Sequence, residues 1–196
     1  YAGGGTRNIF INKPMGSLAD IKGLKVRVQG APIWSKTFAA VGMAPTVIAY
    51  NEIYNAIQNG VISAGENEAA GVEQMKFYEV APNLSMTQHA ITIRPICFSK
   101  KTFAALEPDL QAARDYVLDD WLAQAIIKAG AEAGAYGRQV ESSQDTEKLE
   151  ALEKAGRLKR IAFSGRDEMK KLVDPVMQEY AVEIGADKIL AQINAL

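Results

Sequence analysis

The chain has 196 residues, 48% hydrophobic and 23% charged, with a net charge of −1. That length holds one domain or somewhat more, the composition is globular, and the charge balance lacks the basic excess of a nucleic-acid binder. The single cysteine, Cys97, excludes an internal disulfide, the single histidine, His89, excludes a multi-histidine metal centre, and no run of 18 apolar residues spans a membrane.

The chain opens on Tyr1 and the glycine run 3–5, with no basic or apolar leader ahead of it. Its first residues already read as a strand with no preceding partner, so the sequence reads as a fragment. Partial alternation predicts a short strand over 7–12, closed by Lys13 and Pro14, and 17–23 is a turn. A strand follows over 24–28, with Leu24, Val26 and Val28 on one face and Lys25 and Arg27 on the other. Pro32 opens a helix that runs to about Val41, with Gly42 past its end. A short strand over 45–49 leads to Asn51, the expected N-cap of a helix over 52–59 that Gly60 ends. Another short strand is expected over 61–64, then a helix over 67–77, then strands over 83–89 and 91–99. Short strands alternating with helices of about ten residues are the pattern of an α/β fold.

After residue 100 the texture turns helical. Leu110, Ala113, Val117, Trp121 and Ala125 recur at spacings of three and four, which predicts a long amphipathic helix over 108–141. A helix over 146–155 stopped by Gly156, a short strand over 159–163 and helices over 166–184 and 187–193 complete the chain.

The chemistry is sparse. The glycine run lacks the lysine of a phosphate loop and leads into a strand instead of a helix, and there is no G-x-S-x-G elbow. Cys97, Trp34 and Trp121 read as core residues. His89 ends a strand as a hydrogen-bonded structural residue or, next, a ligand contact, and Arg94 reads as a surface residue. Arg7 and Arg27 stand out because they interrupt apolar strand patterns. Arg27 is either a surface charge or a guanidinium that lines a cleft and grips a carboxylate through two parallel N–H···O bonds. Asn67 is either a helix N-cap or an amide aimed into a cleft at the carboxyl ends of strands.

Taken in order, several segments resemble one family. Residues 20–28 (DIKGLKVRV), 42–46 (GMAPT), 50–61 (YNEIYNAIQNGV), 65–67 (GEN) and 77–80 (FYEV) are similar to the solute-binding proteins of TRAP transporters, the DctP-like family. Residues 5–7 (GTR) and 87–89 (TQH) also fit. The resemblance implies a periplasmic-binding-protein-like fold of two α/β lobes around a cleft, bridged by a long helix, with the first lobe incomplete in this chain. Residues 1–92 with about 140–185 would form the second lobe, about 93–139 part of the first lobe and the connecting helix, and 186–196 a C-terminal helix.

The resemblance also implies a function. A periplasmic solute-binding subunit would capture a small organic acid between its lobes and deliver it to TRAP membrane subunits, without itself spanning the membrane. Arg27 would clamp the ligand carboxylate, Arg7 would be a second cationic contact, Asn67 and Tyr50 would orient the ligand, and His89 would lie near the cleft. No catalytic residue, metal or cofactor is implied. Ser63 departs from the family, which often has Asp there. Two other readings carry different signatures. A ligand-sensing ectodomain would be joined to a signalling domain, and an α/β enzyme acting on a small acid would use His89 as general base.

Overall fold

The computed structural model describes residues 2–94, 99, 101, 104–105 and 145–195. The long helix expected over 108–141, most of the 93–139 segment, and Cys97 and Trp121 lie outside the described residues.

Six strands form one sheet: β1 (Ala2–Ile11), β2 (Lys25–Val28), β3 (Ala44–Val47), β4 (Ala64–Asn67), β5 (Asn83–Arg94) and β6 (Lys159–Ile161), in the order β3-β2-β4-β1-β5-β6. β1 runs antiparallel to both of its neighbours, β4 and β5; the pairs β2–β3, β2–β4 and β5–β6 are parallel. The helices are α1 (Leu18–Ile21), α2 (Pro32–Ala40), α3 (Ile53–Gln58), α4 (Ala69–Gln74), α5 (145–154), α6 (Arg166–Glu183) and α7 (Asp187–Asn194).

Strand alternation divides the apolar side chains between two cores. In β1, Ile9 and Ile11 point to one face, where they join Val26, Val28, Phe38 of α2, Ala64 and Met169 of α6. Phe10 points to the other, among Ile53 and Ile57 of α3, Val72 of α4, Phe77, Leu84, and Leu149 and Leu152 of α5. Each such fully buried side chain stabilises the fold by about 1.5–3 kcal/mol. The Phe10 ring stacks on Phe77 with centroids 4.7 Å apart. The tip of the ring also abuts β4, where a Cβ on Gly65 would clash with it.

The expected alternation of residues 24–28 holds, and α2 starts on Pro32 and stops before Gly42, whose φ of +84° suits glycine. Other elements differ from expectation. The first strand begins at Ala2, because it pairs along a β5 that is one strand of twelve residues and not two. The expected turn over 17–23 contains α1. Asn51 is not a cap: it lies inside a 3-10 turn, Tyr50–Glu52, that runs into α3. The strand expected over 61–64 forms three residues later, on Ala64–Asn67, because its polar residues find partners across the sheet.

Candidate functional site

The chain passes from β2 through α2 to β3 on one side, then through α3 to β4 on the other side of β2. Such a switch point leaves a crevice outside the carboxyl ends of the parallel strands, where α/β folds bind ligands. Here it is a cavity of about 770 Å³ lined by Arg7, Arg27, Gln29, Tyr50, Asn67 and Glu68, with Gly71, Gln74 and Thr92 beside them.

Arg27 comes from β2. Val26 and Val28 face the α2 core, so the pleat sends Arg27 to the opposite face, the side of Tyr50. It is 6% exposed. Its Nε–H donates to the Ile48 carbonyl at 2.9 Å, and its guanidinium carbon lies 5.7 Å from the centre of the Tyr50 ring. Its terminal N–H groups have no hydrogen-bond partner among the described residues. Burial lowers its pKa; the charge of Glu66 partly opposes this, and the charge of Arg7 reinforces it. The site therefore holds a cation with donors to spare.

Arg7, on β1, is the opposite case. Nε donates to Glu66 Oε2 at 2.5 Å, Nη2 to Glu66 Oε1 at 2.9 Å and to the Glu66 carbonyl at 3.1 Å, and Nη1 to Glu68 Oε2 at 2.7 Å and Thr92 Oγ1 at 3.1 Å. All five guanidinium donors are engaged. Burial pulls the Arg7 pKa down, but the bonds and charge of Glu66, with the charge of Glu68, outweigh it and the net shift is up. Trp34 of α2 lies under the guanidinium, 5.6 Å from its carbon.

Glu66 is 1% exposed. Burial pushes its pKa up, but hydrogen bonds from His89 and Arg7 and the charge of Arg7 carry it below the usual carboxylate range. His89 sits behind Glu66, with Nε2 at 3.4 Å from Oε2, Nδ1 at 2.8 Å from Thr87 Oγ1, and its ring edge-on to Phe38. It is not among the residues that line the cavity. A bulge puts it there. The β1–β5 register shifts between Arg7 and Ile9, Gln88 takes a φ of +46°, and its N–H donates to Asn8 Oδ1 at 2.9 Å.

Asn67 ends β4. Its Nδ2 donates to the Tyr50 hydroxyl at 2.8 Å and its Oδ1 accepts the Glu68 N–H at 3.0 Å. It does not cap α4, whose N-cap position is Glu68. Space for the amide comes from Gly71 in α4, where a Cβ would stand 2.3 Å from Nδ2. Tyr50 packs edge-on against Phe77, and burial raises its phenol pKa, so the hydroxyl stays a neutral donor. The structure thus brings Arg7, Arg27, Tyr50 and Asn67 to one cavity and sets His89 behind it. Glu68, Thr92, Gln29 and Gly71 were not singled out from sequence. The signal for Glu68 was two glutamates at the end of a short strand, charges that a buried position tolerates only when paired.

The sequence profile described as bacterial extracellular solute-binding protein, family 7, DctP, matches residues 1–183. The chain belongs to this family. A solute-binding protein of Sulfitobacter sp. strain NAS-14.1 is 50% identical over 195 residues, which is 100% of this chain and 56% of that protein. The sialic acid-binding periplasmic protein SiaP of Vibrio cholerae is 28% identical over 98% of this chain and 55% of its own length. This chain thus spans little more than half the length of these family members. Among solved structures, a TRAP periplasmic solute-binding protein of Sulfitobacter sp. NAS-14.1 with bound α-D-taluronate superposes with a TM-score of 0.83 at 49% identity, over 98% of this chain and 58% of that one. Another, from Bradyrhizobium sp. BTAi1 in complex with galacturonate, gives a TM-score of 0.79 at 26% identity, over 100% of this chain and 61% of that one. The fold is the α/β fold of these binding proteins, with one lobe incomplete. No helix among the described residues is long and apolar enough to cross a membrane.

Proposed function

We propose that this chain belongs to the periplasmic solute-binding subunit of a TRAP transporter, which captures a small organic acid in the cleft and presents it to the membrane subunits. The observation that carries this reading is Arg27: a buried guanidinium at the base of a cavity, with one backbone partner and its terminal donors directed at no described side chain. Burying a charge is costly unless it is paired. A ligand carboxylate supplies the pair, and the planar fork receives it through two parallel bonds. Tyr50, held by Asn67, offers a neutral hydroxyl to the same ligand. Arg7 adds positive charge at the cavity wall, while its own donors hold Glu66 and Glu68. His89 braces Glu66 from behind.

The reading is one of capture without chemistry. His89, the candidate general base, is packed against Phe38 and Glu66 instead of facing the cavity. Closure of a second lobe over the ligand would complete the site and create the form that membrane subunits recognise. Uronates are the first ligands to try, because the similar proteins of Sulfitobacter and Bradyrhizobium were solved with them.

The test is a thermal-shift screen of organic acids on the complete protein, followed by calorimetry on the hits. A ligand at 100 times its Kd stabilises the folded state by about 2.7 kcal/mol. Arg27→Ala is expected to remove the shift, and Arg27→Lys to weaken binding strongly, because lysine has no bidentate fork. Retention of wild-type affinity by Arg27→Ala overturns the assignment.

A further inference from the structure

We propose that Gln29 reads the hydroxyl groups beside the ligand carboxylate, so that the site takes a polyhydroxy acid and discriminates against an acid of the same shape without hydroxyls. The inference rests on Arg27 being the carboxylate clamp and asks which side chain meets the rest of the ligand. Gln29 follows the clamp by two residues. Side chains two apart share a face of an extended chain, and Gln29 and Arg27 line the same cavity. Two residues of extended chain separate them by about 7 Å, so a ligand that reaches both carries its hydroxyls within a few bonds of its carboxylate. Gln29 is half-buried. Gly30 beside it leaves room, because a Cβ there would meet nothing within 4 Å.

The other neutral groups of the lining are mostly engaged. The Asn67 amide donates to the Tyr50 hydroxyl and accepts the Glu68 N–H, and the Thr92 hydroxyl accepts from Arg7 and donates to Glu68. Gln74 stands exposed on α4, where water serves it. The Gln29 amide has no hydrogen-bond partner among the described residues. An amide presents two N–H donors next to a carbonyl acceptor. A hydroxyl both donates and accepts, so one hydroxyl, or a neighbouring pair, satisfies both halves of the amide. A carboxylate only accepts, and an alkyl carbon does neither. Each of these leaves part of the amide unpaired once the ligand has displaced its water. A site built to bond a hydroxyl penalises the analogue that lacks it for that reason.

The experiment is calorimetry on the complete protein with two acids of equal charge and equal ring size. One is galacturonate; the other is the tetrahydropyran carboxylate with the same ring and acid position but no hydroxyls. The wild type is expected to bind galacturonate more tightly by about tenfold or more, and equal affinity for the two acids overturns the proposal. Gln29→Met keeps the length of the side chain and removes the amide. It is expected to weaken galacturonate by about tenfold and to leave the tetrahydropyran acid within about twofold of wild type, so that the affinity ratio shrinks. An unchanged ratio in a cooperatively folded Gln29→Met protein overturns the proposal, whether both acids are unaffected or both weaken alike. Gln29→Ala gives the same readout should the methionine variant not fold. Arg27→Ala separates this inference from the reading beneath it. If that variant loses both acids while Gln29→Met leaves the ratio unchanged, the role of Gln29 alone is overturned. If it binds galacturonate as tightly as wild type, the Arg27 clamp is overturned, and this inference with it.

Discussion

Arg7 and Arg27 lie on strands separated by β4, are equally buried, and line the same cavity, yet they are used in opposite ways. Arg7 is closed: two carboxylates, a hydroxyl and a carbonyl consume its donors. Arg27 is open: one carbonyl and an aromatic ring hold it, and its outer nitrogens have no hydrogen-bond partner among the described residues. Burial costs both of them solvation. For Arg7 the protein offsets that cost itself, whereas at Arg27 the offset is left to a ligand. A buried charge is thus a structural element when its network is complete and a binding element when it is not.

The sharpest test exchanges each arginine for methionine and measures unliganded stability by urea unfolding. Arg7→Met strands two buried carboxylates and should destabilise by about 3–5 kcal/mol. Arg27→Met should change stability by no more than about 1 kcal/mol, or raise it, because an underpaired buried charge is removed. Equal losses in the two variants would break the contrast. A middle-sized effect is expected at Gly71. Its alanine variant would press a methyl group onto the Asn67 amide, cost about 1–3 kcal/mol, and release Tyr50, so that ligand affinity drops as well. Unaltered affinity in calorimetry would remove Asn67 and Tyr50 from the orienting machinery. The smallest effect concerns acid. Because the folded-state pKa of Glu66 lies below its ordinary value, its contribution to stability is complete above the ordinary carboxylate range and is lost as pH falls through the folded value. The melting temperature of Glu66→Gln should therefore fall less steeply on acidification than that of the wild type.

The placement of Arg27 was legible before any coordinates, whereas its contrast with Arg7, which the sequence marked only as a second cationic contact, was not. The alternation of residues 24–28 already put Arg27 on the face opposite Val26 and Val28, and Pro32 and Gly42 bracketed α2. What sequence did not reveal was pairing. β4 carries Ala, Gly, Glu and Asn, weak strand formers on their own, and becomes a strand because β1 and β2 flank it. The more β-prone residues just before it therefore drew the expectation three positions early. Glu66 was visible as a motif letter, but its bond to Arg7 joins residues 59 apart in the chain. The orientation of His89 depends on a bulge at Gln88, a residue type that gives no warning of a positive φ. Asn51 looked like a cap because asparagine often is one, and a 3-10 turn occupied its place.

The core on the Phe10 side also has a history in time. It needs Leu149, Leu152 and Leu158, and β5 is flanked by β6, whose Ser85↔Ile161 pairing joins residues 76 positions apart. A chain emerging from its point of synthesis exposes Phe10, Phe77 and Leu84 until those last leucines arrive. Contacts so distant in sequence form slowly. Newly made copies would thus pass through a sticky, unfinished interval, when holdase chaperones have most to bind.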